Sequence, residues 1–331
     1  MPLPLSILDL APLAHGQQSG DAIAHSVELA RLAESLGYHR VWYAEHHSLP
    51  GIASTAPDLM VAHVGAHTRR IRLGAGGVML PNHVPLRIAE AWRLLEAMYP
   101  GRVDLGLGRA PGTDQRTALA IRGSRSLLMR DDFPEQLAEL EAWGGDSPVP
   151  GVTAQPDDAP LPPIWLLGSS DYSARLAAAR GYPFAFAAHF SPAPPDPAMR
   201  AYLEGFRPGK VAAPRAMLAV AAFCADTQEE AEDLARPALV AFVRLRTGRP
   251  TRPPSPAEAR EYRFSELEEA VATQVEATRI VGTPDAVARR IHELATRTGA
   301  SEVMVASHAV DHAGRLRSCE LLAAAWRRAG S

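Results

Sequence analysis

The chain has 331 residues, of which 47% are hydrophobic and 21% charged, as in ordinary globular proteins. Its net charge of −3 gives no basic surface for nucleic acid, and no apolar run is long enough to span a bilayer. Residues 1–5 lack the features of a signal peptide and the two cysteines are isolated, so we expect a cytoplasmic protein without nucleic-acid or membrane partners.

Short apolar runs alternate with amphipathic helical patterns along nearly the whole chain. The runs that fit strands are residues 5–10, 40–44, 71–75, 103–107, 164–167, 184–188, 216–224 and 302–306. The helical patterns cover residues 21–36, 55–67, 85–98, 125–143, 170–180, a stretch from 227 onward, and 315–328. Eight strands, most of them followed by a helix, predict an α/β fold: one (β/α)8 TIM barrel over residues 1–331.

A doubly wound parallel sheet is the alternative fold. It usually carries a glycine-rich turn after its first strand, whereas residues 10–15 read LAPLAH here. Two stretches interrupt the regular pattern. Residues 144–163 are rich in Pro, Gly and Asp and predict a long loop, and residues 247–264, after strand seven, contain four prolines and predict a mobile insertion.

Glu45, His46 and His47 follow the strand at residues 40–44. Successive strand residues point to opposite faces, so one imidazole can face the barrel while its neighbour faces a loop. Because active sites form at the carboxyl ends of parallel barrel strands, this tripeptide predicts a functional site. The alternative is a pair of hydrogen-bonded structural histidines.

The next two strand ends also carry candidate ligand-binding residues. Ala75, Gly76 and Gly77 end strand three, and glycines there let the backbone approach a flat ligand, although a tight turn is the alternative. Arg109 follows strand four, where a guanidinium can hold a phosphate or a carboxylate. A surface ion pair is the alternative for Arg109.

Gly168, Ser169, Ser170 and Ser173 lie at the junction between strand five and its helix. Free amides, hydroxyls and the positive end of the helix dipole form an anion site at such a junction, while plain N-capping is the alternative. Strands four and five are neighbours in a barrel, so these serines and Arg109 can converge on one phosphate.

Metal and hydrolase chemistry have little support. The histidine pairs His63/His67 and His308/His312 have i, i+4 spacing but lack the Glu of HExxH, and no GxSxG elbow is present. We therefore predict no metal site.

Several segments together resemble the bacterial luciferase-like family of flavin-dependent monooxygenases. The likeness covers nearly the whole chain, and its segments are WYAEHH at 42–47, IRLGAGGVMLP at 71–81, RIAE at 87–90, LLEAMYPGR at 94–102, LGLGR at 105–109, WLLGSS at 165–170 and VGTP at 281–284.

This resemblance implies a TIM barrel that binds FMN, as FMNH2, at its carboxyl end. It places the FMN phosphate at Arg109, Gly168, Ser169, Ser170 and Ser173, and the flavin ring over Ala75 and a non-prolyl cis peptide at Gly76-Gly77. His46 matches the family's acid/base imidazole, a role suited to a pKa near neutrality, with Glu45 and His47 around the substrate or behind the site.

The reaction implied is monooxygenation with FMNH2 and O2 through a flavin C4a-hydroperoxide. The substrate is a small organic molecule or secondary metabolite, open to hydroxylation, epoxidation or Baeyer–Villiger oxidation. Since no dinucleotide fingerprint is present, a separate flavin reductase is expected to supply FMNH2. Gly108 stands where the luciferases carry a reactive cysteine, so light emission does not transfer.

Two rival functions stay open at this point. One is an F420-dependent oxidoreductase on the same fold, and the other a non-catalytic flavin-binding paralogue, which would not need His46 and Arg109. The resemblance also implies a homodimer through the helices after strands two and three. Small residues there would let helices approach, and apolar ones would supply contact: Ala62, Gly65, Ala66, Leu94, Leu95 and Met98.

Overall fold

The computed structural model describes residues 3–145 and 147–329. Within them lie ten strands: β1 Leu5–Asp9, β2 Arg40–Tyr43, β3 Arg72–Ala75, β4 Val78–Met79, β5 Val103–Gly108, β6 Ile164–Gly168, β7 Phe184–Ala187, β8 Ala216–Cys224, β9 Arg279–Gly282 and β10 Glu302–Ala306. The same part of the chain forms thirteen α-helices: α1 Ser19–Leu36, α2 Pro57–Gly65, α3 Pro85–Met98, α4 Gln115–Arg122, α5 Arg125–Leu128, α6 Phe133–Trp143, α7 Asp171–Arg180, α8 Asp196–Gly205, α9 Gln228–Arg246, α10 Pro256–Glu261, α11 Glu266–Glu276, α12 Pro284–Thr298 and α13 His312–Ala329.

Eight of the strands close into a parallel barrel. Their order is β1-β2-β3-β5-β6-β7-β8-β10, and β10 returns to pair with β1. The two short strands lie outside this ring, β4 beside β5 and β9 beside β8. The predicted (β/α)8 barrel is therefore confirmed, and the doubly wound alternative is wrong.

The barrel interior has a polar floor and an apolar body. At the amino ends of the strands, buried Arg40 pairs with Asp104 at 2.6 Å and with Glu302 at 2.8 Å. Above this floor, large side chains such as Trp42 and Trp165 fill the barrel, and the residues near its carboxyl end are smaller. The bulky side chains therefore fill the lower barrel, and the smaller ones lie toward the carboxyl ends of the strands.

The single helix predicted over residues 125–143 is wrong. Helix α5 ends at Leu128, and α6 starts again at Phe133 with Pro134 in its first turn. Proline lacks an N–H and disfavours helical geometry in the preceding residue, so it fits a helix start and interrupts a longer helix.

The proline-rich insertion, residues 247–264, is folded onto the rim beyond β8. Pro253 and Pro254 are buried, and the Pro253 carbonyl accepts a 3.0 Å hydrogen bond from the His15 amide. Arg236 of α9 donates to the carbonyls of Ala259 and Tyr262. The segment thus lies across the mouth-side loops, and its mobility stays a prediction.

Candidate active site

Glu45 is a buried carboxylate that organises the end of β2. It is 1% exposed and accepts four hydrogen bonds. Its Oε1 receives His47 Nε2 at 2.8 Å and Asn82 Nδ2 at 3.1 Å, and its Oε2 receives the Met79 amide at 2.8 Å and His83 Nε2 at 2.9 Å. Burial alone would raise the pKa of the Glu45 carboxyl, but hydrogen bonds from His83, His47 and the Met79 amide lower it overall. Glu45 is therefore an ionised positioning residue.

The same residue joins β2 to the glycine segment after β3. The Glu45 amide donates to the Gly77 carbonyl at 3.1 Å, and the Gly76 amide donates to the Tyr43 carbonyl at 2.8 Å. Between them, the Gly76-Gly77 peptide bond is cis, as the resemblance implies. His47 is hydrogen-bonded to Glu45 and so faces this segment. Because successive strand residues point to opposite faces, His46 is the neighbour that can face the mouth.

Glycine is required where the backbone forms this cradle. A Cβ on Gly76 would lie 2.7 Å from Leu8 Cδ1, and one on Gly77 would lie 2.8 Å from the Gly106 carbonyl oxygen. A Cβ on Gly168 would meet Ser173 Oγ at 2.8 Å. A side chain at any of these three positions would force a neighbouring group to shift, so glycine lets the backbone after β3 and at the end of β6 pack closely against its neighbours.

Arg109 reaches the amino end of α7. Strands β5 and β6 are hydrogen-bonded neighbours, so their carboxyl ends lie together as expected. The Arg109 guanidinium lies 4.1 Å from the ring centroid of Tyr172, a cation–π contact in the first turn of α7. It also makes a 3.4 Å contact with Asp131, whose side chain is 71% exposed. Arg109 thus has one firm aromatic support and one weak, solvent-screened ion pair.

The serines at this junction take different positions. Ser170 is the exposed N-cap residue of α7, and its hydroxyl makes no capping bond to the helix. Ser169 is half-buried, and Ser173 is buried within the helix against Gly168. Plain N-capping by Ser170 does not occur, which leaves its hydroxyl available beside the first helical amides.

His46 lies half-buried at the mouth. Its Nδ1 has no hydrogen-bond partner among the described residues, and its backbone amide donates to the Ser54 carbonyl at 3.2 Å. Burial lowers the pKa of His46 to about 4, and the opposing effect of Glu45 does not offset it. The expectation of a pKa near neutrality is therefore wrong. At pH 7 the ring is therefore neutral and offers one nitrogen as a hydrogen-bond acceptor.

Two further histidines of the mouth were not predicted. His189 follows β7 and His308 follows β10, and their ring centroids are 6.3 Å apart. Burial lowers the pKa of both rings to about 3, and each also interacts electrostatically with His46. Both stand just beyond a strand's carboxyl end, the position that singled out His46, so the same rule could have found them.

Three other residues of the site were also missed. Tyr172 follows the strand-five serines directly, and a conspicuous aromatic in that first helical turn was the available signal. Asn82 and His83 come after the glycine segment, with no periodicity to mark them. Only folding brings both to Glu45.

No helix among the described residues has the length and apolarity to cross a membrane. No group of three or more His, Cys, Asp or Glu side chains in this part of the chain is placed to hold a metal ion.

Comparison with known proteins gives one consistent family. The family description "Luciferase-like monooxygenase" matches residues 4–302. A protein of that name from Escherichia coli K12 is 44% identical over 318 residues, covering 96% of this chain and 95% of its own. An N-acetyl-S-alkylcysteine monooxygenase from Bacillus subtilis is 36% identical over 299 residues, covering 88% of each.

Solved structures agree. Apo-MsnO8 matches with a TM-score of 0.88 and 35% identity over 98% of each chain. Two more distant structures share the fold alone. The oxygenating constituent of the 3,6-diketocamphane monooxygenase of Pseudomonas putida, in complex with FMN, has a TM-score of 0.71, 21% identity, and coverage of 98% of this chain and 97% of its own. An F420-dependent secondary alcohol dehydrogenase has a TM-score of 0.69, 16% identity, and coverage of 98% and 99%.

Proposed function

Because the chain belongs to the luciferase-like monooxygenase family, we propose that it is a two-component monooxygenase that uses FMNH2 and O2 on a small organic substrate. The observation that carries the choice of cofactor is the convergence of Arg109, Tyr172 and the amino end of α7. A guanidinium, a free hydroxyl and helix amides suit a phosphate dianion such as that of FMN.

The residues present fit a bound flavin. The glycines at 76, 77 and 168 leave bare backbone where a flat ring and its side chain would pass, and Ser170 offers an unused hydroxyl at the phosphate end. Asp131 must leave Arg109 when the phosphate arrives, which costs little because the pair is long and exposed. Reduced flavin, when bound, supplies the activation of oxygen.

The chain's own residues orient the reactants and manage protons. Glu45 holds the end of β2 against the glycine segment, and so places His46 beside the ring's expected position. The neutral His46 imidazole can take a proton at the nitrogen that lacks one. Its unpartnered, buried Nδ1 is available for a hydrogen bond to a ligand.

Two partners are part of the proposal. A separate reductase supplies FMNH2, since the sequence carries no dinucleotide fingerprint. A second copy of the chain forms a homodimer through α2 and α3, where large apolar side chains are exposed on the helices and at the N-cap of α3: Leu59, Val84, Leu94 and Met98. Of the contacts expected from sequence, Leu95 is buried in its own subunit and Gly65 packs against Tyr99, so neither is available.

The decisive experiment compares FMN with riboflavin on Arg109→Ala. Hydrogen bonds to charged groups are worth about 1.5–3 kcal/mol, so FMN affinity should fall roughly 10- to 100-fold while riboflavin affinity holds. Flavin fluorescence quenching measures both. Arg175→Ala removes a cation of α7 that pairs with Asp171 on the exposed side, and it serves as the matched control. Equal losses for FMN and riboflavin would show that Arg109 does not bind phosphate, and tighter binding of F420 than FMN would favour the F420-dependent alternative.

A further inference from the structure

The strands at the carboxyl face of the barrel form two arcs, and three histidines at the mouth follow strands of the same arc. The proposed flavin site uses β3, β5 and β6, which are consecutive in the ring. The remaining arc runs β7-β8-β10-β1-β2, and His189, His308 and His46 follow its strands β7, β10 and β2. The arc outside the proposed flavin site therefore has one imidazole at each end, after β7 and β2, and one in its middle, after β10.

The charged groups near His189 and His308 are already engaged with acceptors of the protein itself. Neither ring forms an ion pair with a carboxylate in the described part of the chain, and His189 Nδ1 is buried there without a partner. Two arginines lie close enough to His308 to contribute to the lowering of its pKa. Arg279 donates to the carbonyls of Ala235 and Ala238, and Arg315 is paired with Asp9 at 3.0 Å.

The floor and rim of this arc are apolar. Leu10, Ala44 and Ala306 belong to the apolar cluster of the barrel and lie at or just beyond the carboxyl ends of β1, β2 and β10. Phe190 is 41% exposed and stands edge-on to the His189 ring at 4.8 Å. A carbon skeleton can therefore rest on the floor while polar atoms reach the two imidazoles.

We propose that His189 and His308 anchor the organic substrate, and that this substrate is an uncharged molecule bearing a carbonyl or hydroxyl group. The His189 ring donates to the Ala219 backbone, which leaves its Nδ1 as an acceptor, and the neutral His308 ring has one donor and one acceptor, so the pair can bind either group. A carboxylate or phosphate would lose its hydration there, and the two nearest arginines already donate their hydrogen bonds to protein acceptors. The inference rests on the proposed function, because the flavin must occupy the other arc.

The test uses matched probes on the FMN-loaded protein: 2-decanone, 2-decanol and decanoate, and cyclohexanone, cyclohexanol and cyclohexanecarboxylate. Binding is followed by tryptophan fluorescence, since Trp42 and Trp165 lie below the mouth. We expect the ketone or alcohol of a set to bind at least tenfold more tightly than its carboxylate. His189→Leu and His308→Leu should each weaken that binding about tenfold.

Two sets of controls separate anchoring from folding. His189→Gln and His308→Gln keep a hydrogen-bonding group and should retain most of the affinity, whereas a purely structural role would not follow this order. His67→Leu changes an exposed histidine behind α2 and should have no effect. Thermal denaturation and FMN binding are measured on every variant to show that each is folded.

Three results would overturn the inference: equal or tighter binding of the carboxylates, undiminished binding by both leucine variants, or no binding of any uncharged probe to the FMN-loaded protein. Failure of the proposed function looks different. The protein would then bind uncharged probes through His189 and His308 but would not bind FMN.

Discussion

Replacing Glu45 by Gln should destabilise the protein although it changes no side-chain volume. The carboxylate accepts two donors at each oxygen. An amide nitrogen in place of Oε2 would face the Met79 N–H, which cannot become an acceptor. In place of Oε1 it would face the Asn82 amide, which is held by its 3.0 Å bond to the Pro111 carbonyl. In either orientation, the buried amide nitrogen of the new glutamine side chain would face another N–H donor, and neither donor would have an acceptor.

An unsatisfied buried donor costs about 1–3 kcal/mol. For a chain of this length, the entropy of unfolding is roughly 0.7 kcal/mol/K, so the melting temperature should fall by about 1.5–4 °C. Differential scanning calorimetry at pH 7 measures the shift. Glu90→Gln is the matched control, because Glu90 is in a surface i, i+3 pair with Arg87, and its change should stay within about 0.5 kcal/mol.

The pH dependence gives a second readout. The pKa of Glu45 is lowered in the folded protein, so its carboxylate contributes stability above the unfolded pKa, near 4.5, and that stability is lost as the pH falls through the lower folded value. The gap between wild type and Glu45→Gln should therefore narrow below about pH 4.5. A variant with an unchanged melting temperature at pH 7, or a gap that widens in acid, would refute the role given to Glu45.

Three further predictions concern catalysis and assembly. His46→Ala should keep FMN binding and lower turnover by about 10²- to 10⁴-fold, and unchanged turnover in this variant would show that His46 takes no part in catalysis. Because burial lowers the pKa of His46 to about 4, wild-type turnover should hold down to about pH 5 and fall below it. Met98→Glu should convert a homodimer into a monomer by light scattering, because Met98 is 50% exposed on the proposed interface, and a monomeric wild type at micromolar concentration would contradict the dimer. Replacing residues 247–264 by a short glycine linker should leave the barrel folded but divert FMNH2 oxidation to hydrogen peroxide, because the segment lies over the mouth-side loops. If FMNH2 oxidation in this variant still yields only oxygenated product, the segment is a structural brace and not a lid.

The order of the barrel strands could be predicted from the sequence because each strand is a local apolar run followed by its own helix. The same locality revealed Glu45, His46, Arg109 and the junction at 168–170, since each stands just past a strand. The short strands β4 and β9 were missed because each contains only two consecutive apolar residues, VM at 78–79 and IV at 280–281, which form no recognisable run. The break before Phe133 was missed although Pro134 signalled it.

Only the tertiary structure decided what these residues do. Glu45 is buried and fully hydrogen-bonded because Asn82 and His83, which are distant in sequence, donate to it in the folded protein. Tyr172 contacts Arg109 because β5 and β6 are adjacent in the barrel. Burial, with a smaller contribution from His47, lowers the pKa of His46, so its charge depends on the strands and loops that surround the mouth. Strand and helix formation follows from neighbouring residues in sequence, whereas burial, ionisation and hydrogen-bond partnership depend on distances that closure of the barrel sets.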